Sequence, residues 1–181
     1  MPNRSIGSYN TLELMPLLSY NIISYLVENN ETIWKLLKHT SADAWDQINL
    51  TDVEKRALIY AGQSDMTDYR VFMDSGQDDS WTDPVCILRV PILEIIPTNK
   101  VVANVTIGFE VYCHSKISVM SNYQTRADTI VKEIISTLNQ VEIGGLGQLF
   151  FDASSNSRCK VITIGKLPFR GKGIVMANWI V

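Results

Sequence analysis

Val105, Ile107, Phe109, Val111 and Cys113 alternate with Thr106, Gly108, Glu110, Tyr112 and His114, and this two-residue period is the strongest constraint on the fold. Successive side chains of a β-strand point to opposite faces. One face of residues 102–114 is therefore apolar and must be covered, while the other carries groups that water can reach. Residues 85–95 are equally rich in Val, Ile and Leu and precede this run across the turn formers Pro97, Thr98 and Asn99. The two predict an antiparallel hairpin. A sheet with an apolar face needs a second layer, and the rest of the chain supplies helices for it.

Upstream, Leu14, Leu18, Ile22 and Leu26 recur every four residues with Met15 and Ile23 beside them, the stripe of a helix over residues 12–27. Pro16 falls near its start, where a missing N–H is tolerated. Asn30 is placed to cap a second helix over 31–39, with Ile33, Leu36 and Leu37 facing inward. Thr51-Asp52-Val53-Glu54 has the form of a capping box and predicts a third helix that stops at Gly62. Downstream, Ala127, Ile130, Val131, Ile134 and Leu138 predict a long helix over 125–138, with Arg126, Asp128, Lys132 and Glu133 on its outer side and Asn139 ending it in the left-handed conformation. Three β-like runs follow, 148–153, 159–164 and 173–181, broken by residues 154–157 and 168–171. The fold class is α+β: N-terminal helices, then a mixed, largely antiparallel β-sheet flanked by one long helix. A length of 181 residues suits a single domain. Within it, 1–62 is a helical front, 63–84 an acidic loop holding a short edge strand at 69–73, and 85–181 the sheet with helix 125–138.

Several chemistries find no support in the residues. Cys86, Cys113 and Cys159 are odd in number and far apart, which fits neither a disulfide framework nor a metal-binding pair, so buried thiols are expected. No apolar run approaches the roughly 20 residues of a membrane-spanning helix. Residues 1–9 lack the pattern of a secretion signal, and synthesis in the cytosol is the expectation. GKLPFRGKG at 165–173 has five residues between Gly165 and Gly171, where a phosphate-binding loop has four, and Gly173 stands where that loop needs Ser or Thr. A hairpin turn explains it better. Gly144, Gly145 and Gly147 follow a helix, whereas a dinucleotide fingerprint follows a strand. Asp74, Gly76 and Asp78 lack the ligand order of a calcium loop. His39 and His114 are the only histidines, and His114 and its neighbour Cys113 point to opposite faces of one strand, so they form no dyad. Arg89 and Glu110 fall on neighbouring strands and are expected to stabilise the hairpin. The tryptophans, Trp34, Trp45, Trp81 and Trp179, read as core or interface residues. No catalytic residue, cofactor or metal ligand is assigned.

Charge is more informative. Asp65, Asp68, Asp74, Asp78, Asp79 and Asp83 crowd one stretch against a single Arg70, within a net charge of −3. From residue 158 onward Arg158, Lys160, Lys166, Arg170 and Lys172 meet no acidic residue.

The order of elements, with the helix TRADTIVKEIISTLN and the strands GQLFFDA and CKVITIG, resembles the small neck and tail-terminator ring proteins of tailed bacteriophages. The likeness covers about the second two-thirds of the chain, and the helical front departs from a minimal terminator. The resemblance implies a subunit body of mixed sheet and one long flanking helix, copies joined head to tail in a ring between portal and tail, and a place in the virion after synthesis in the host cytoplasm. In a head-to-tail ring each interface joins two different patches. The expected interface sets Asp74, Asp78, Asp79 and Asp83 of one subunit against Arg158, Lys160, Arg170 and Lys172 of the next. Other neck, portal or tail proteins are then partners, and the basic residues could alternatively meet DNA in the lumen without sequence preference. The competing readings are a small intracellular enzyme or nucleotide-binding protein whose site is built from scattered residues, and a monomeric binding module using the acidic loop.

Overall fold

The computed structural model describes residues 17–62, 68–73, 82–97, 103–144, 147–151 and 159–179. Among them are the helices α1 (Leu18–Asn29), α2 (Thr32–Lys38), α3 (Asp52–Ala57) and α4 (Arg126–Leu138). The strands are β1 (Val71–Phe72), β2 (Cys86–Arg89), β3 (Ile92–Pro97), β4 (Ala103–His114), β5 (Val141–Glu142), β6 (Gln148–Phe150), β7 (Lys160–Lys166) and β8 (Phe169–Trp179). All eight join one mixed sheet, in which β1 and β2 are parallel and the other pairs antiparallel. The α+β class read from the sequence is the class observed.

β4 and β8 are the spine. β4 takes β2 along Glu110–Cys113 and β3 along Ala103–Ile107 on one edge, and β8 on the other. β8 in turn carries β7 and β6. The apolar face of β4 is buried throughout and joins Leu88, Ile174 and Met176 with the inward residues of α1, α2 and α4 in a single core.

The predicted hairpin strand over 85–95 is two strands. Pro91 has no N–H to give the ladder, and Val90 turns its carbonyl to the Ser19 hydroxyl of α1 at 2.8 Å. Pro91 accepts from the Gly108 amide instead. The third helix begins with the expected capping box, Thr51 accepting from the Glu54 amide and Glu54 from the Thr51 amide, but it ends at Ala57 rather than Gly62. Leu58 to Tyr60 are drawn away by β1: Leu58 O accepts from the Arg70 and Val71 amides, and the Tyr60 amide donates to Val71 O. Gly62 does adopt a positive φ, in the segment beyond. Asn139 does not end α4 in the left-handed conformation; it is extended, its side chain accepts from the Phe151 amide at 2.8 Å, and Gln140 takes the positive φ. Leu14, Met15 and Pro16 lie outside the described residues. The edge strand expected within 69–73 is β1.

Asn30 caps α2, accepting from the Ile33 amide at 2.8 Å, and its amide group donates to Glu133 and Thr137 of α4. Lys55, only 2% exposed, reaches from α3 to Val27 O at the end of α1 and to Glu31. Trp34, fully buried, donates to Leu26 O. The end of α1 is thus closed by side chains from the helices that follow it, because its last carbonyls have no partner within the helix.

Arg126 corrects the reading of α4. Expected on the outer side, it is 0% exposed. Its Nε donates to Ile117 O, Nη1 to Leu36 O and His39 O, and Nη2 to Ser41 O, at 2.6–3.0 Å. The guanidinium closes the carbonyl end of α2, where the helix dipole is negative, and its planar fork suits carbonyls that diverge. Arg126→Ala leaves these buried carbonyls without donors and is expected to lower unfolding free energy by about 3–5 kcal/mol in urea denaturation. A loss under about 1 kcal/mol would contradict this role.

Candidate interaction surface

The outer face of the sheet, opposite the helices, carries a smaller apolar cluster. Phe72, Val85 and Ile87 are buried there, with Tyr60, Tyr69, Tyr112 and Phe169 packed against them. His114 stacks edge-on against Phe169, with ring centroids 5.1 Å apart, while Cys113 belongs to the inner core. The two neighbours do point apart, as their strand positions require. Cys86 lies directly opposite Cys113, and all three cysteines are buried free thiols. A hydrogen bond to Cys113 and burial push the Cys86 thiol well up, which makes it a poor nucleophile.

β7 and β8 form a hairpin whose turn is Leu167-Pro168, joined by a cis peptide. The Ser115 amide fastens this tip by donating to Pro168 O at 2.8 Å. The glycines of GKLPFRGKG hold no phosphate cradle; they are contact positions in strands. A Cβ on Gly171 would sit 1.6 Å from Val111 O, and Gly165 has φ +79° with Tyr112 against it. The close crossing leaves a concavity of about 430 Å³ lined by Ile87, Arg89, Tyr112, Phe169 and the tip residues 165–168.

Arg89 and Glu110, expected on neighbouring strands, are direct register partners. The Arg89 guanidinium lies 5.2 Å from the centroid of the Tyr112 ring, and the Tyr112 hydroxyl donates to Glu110 Oε2 at 3.3 Å. Burial first, and the Glu110 charge second, raise the Tyr112 phenol above its ordinary 10.0, while Arg89 pulls it down. A raised acid stays protonated longer in the folded state than in the unfolded one. Its contribution to stability is therefore complete below pH about 10 and declines above it. In a phenolate absorbance titration Arg89→Met should move Tyr112 further up and Glu110→Gln should move it down. Absence of both shifts contradicts the arrangement.

Of the charged residues expected at an interface, Asp74, Asp78, Asp79 and Arg158 lie outside the described residues. Asp83 is exposed, two residues before Val85, whose carbonyl accepts from the His114 amide. Asp83 and the hairpin tip thus lie near the same corner of one subunit. The basic residues do not form one patch. Lys160 and Lys166 alternate to the same side as Ile162 and Ile164, whereas Arg170 and Lys172 share the side of Ile174 and Met176. Lys172 Nζ approaches Asp128 Oδ1 of α4 at 3.5 Å. β7, expected only as a β-like run, places the apolar Val161, Ile162 and Ile164 on both of its faces. Trp45 is exposed, and Trp81 is outside the described residues.

Among the described residues no group of three His, Cys, Asp or Glu side chains could hold a metal ion, and no helix is long and apolar enough to cross a membrane. The family model YomW matches residues 30–171, well over half of the chain. Neither the curated proteins nor the solved structures contain a match.

Proposed function

The chain belongs to the YomW family, whose name is of the phage-derived, SPbeta type and marks a phage-associated protein, and from that premise we propose that it is a non-enzymatic structural protein of a tailed-phage virion. Its role in this reading is a neck or tail-terminator-like ring subunit that joins portal or head to tail. The observation that carries the reading is the body itself: a mixed sheet backed by helices, α1 of 12 residues and α4 of 13, in a phage-associated family. The segregated charge supports it. In sequence, the aspartate-rich stretch at 65–83 and the basic residues from 158 onward are separate runs of opposite sign, and a head-to-tail contact between copies joins two different surfaces. The concavity between Arg89 and Lys166 favours a second reading, a small-anion or nucleotide-binding protein, which a nucleotide-dependent rise in melting temperature would reveal.

Light scattering on the purified chain tests the first reading. The unmodified protein is expected to form a defined oligomer that weakens with salt, because exposed charges are screened. Asp78→Lys with Asp79→Lys should weaken association at low salt about fivefold or more, through the loss of attraction and the gain of repulsion. An unchanged mass for the double variant at low salt contradicts the charged interface.

A further inference from the structure

β7 pairs with β8 along one edge and meets no described strand along the other. Backbone N–H and C=O groups on such an edge are donors and acceptors that another strand can satisfy. The strand is also uncovered on both faces, with Val161 45% and Ile162 43% exposed. Lys160 and Lys166 stand at its two ends. Two copies meeting through a two-fold axis run antiparallel, and full overlap sets Lys160 against Lys166 at both ends, where like charges are destabilising. β7 is built against pairing with itself.

A second edge without a described partner strand lies at the diagonally opposite corner of the same sheet. β3 pairs with β4 along Ala103–Ile107, whereas β7 adjoins the stretch of β8 that faces Gly108–His114. Its other edge faces no described strand. β3 has six residues against seven in β7 and exposes Leu93 and Ile96. Its only charge is the carboxylate of Glu94, opposite in sign to the lysines of β7. The geometry points to strand addition between copies: β7 of one subunit pairs with β3 of the next and carries the sheet across the interface. The two edges differ and lie on opposite sides of the β4–β8 spine, so the contact is heterologous and propagates head to tail. This rests on the ring reading above and gives the ring a contact surface in place of the charged one, with the backbone giving adhesion and the terminal lysines giving direction.

Hydrogen exchange and light scattering on the full chain test it. Amides within 160–166 and 92–97 that exchange freely in the monomer should slow about tenfold or more on assembly. Val161→Lys and Ile96→Lys alter side chains 45% and 38% exposed and should keep the circular dichroism and melting temperature of the unmodified chain. Each should stay monomeric where the unmodified chain assembles. Mixed, they should give a dimer and nothing larger, since each retains the edge that the other has lost. Unchanged exchange at both edges, or normal assembly of either variant, overturns strand addition and leaves the ring reading standing. An unmodified chain that neither self-assembles nor joins virion particles overturns both.

Discussion

The Arg126 guanidinium joins elements far apart in the chain more tightly than any other described side chain. It stands at the first residue of α4, donates to carbonyls at 36, 39 and 41 behind the end of α2, and reaches Ile117 just beyond β4. Helical front, sheet and long helix therefore meet at one buried cation. Its partners are all carbonyl oxygens, and the group cannot shed its charge, so these dipoles carry the whole compensation for taking it out of water. Lys55 repeats the device on a smaller scale, closing the end of α1 from α3, and Asn30 caps α2 locally while its amide ties it to α4. The helical layer is fixed on the sheet by polar groups at its ends as well as by the apolar stripe between them.

This explains what the sequence made legible and what it hid. Alternation in β4 and helical spacing in α4 report which side of an element is apolar, and both apolar sides fell where the pattern put them. Arg126 was hidden because periodicity treats every charged residue as an outer one. The local sign was present: a cation in the first turn of a helix opposes that helix's own dipole, and it fits better at another helix's carbonyl end. Pro91 likewise splits 85–95 for a reason visible in the residue, its missing N–H. The end of α3 was not visible at all, since Leu58 to Tyr60 leave the helix for a strand at 71, a contact that no nearby residue announces.

The charged surface was legible in composition and not in geometry. Five basic residues from 158 onward looked like one lobe, but strand alternation divides those on β7 and β8 between two faces, and Lys172 turns to Asp128 within the subunit. Along β7 the hairpin leaves an edge that meets no described strand. Gly165 and Gly171 allow the hairpin to cross Tyr112 and Val111 closely and form the wall of the outer concavity. Features that resembled a nucleotide loop in sequence thus belong to the shape of the sheet.

A neck or tail-terminator ring subunit, as proposed, has one place in the particle. Immunogold labelling of purified phage with antibody to this chain tests it most directly. The account predicts gold confined to the junction of head and tail. Label absent from intact particles while the chain is abundant in the lysate, or label spread over capsid or tail fibres, would contradict it.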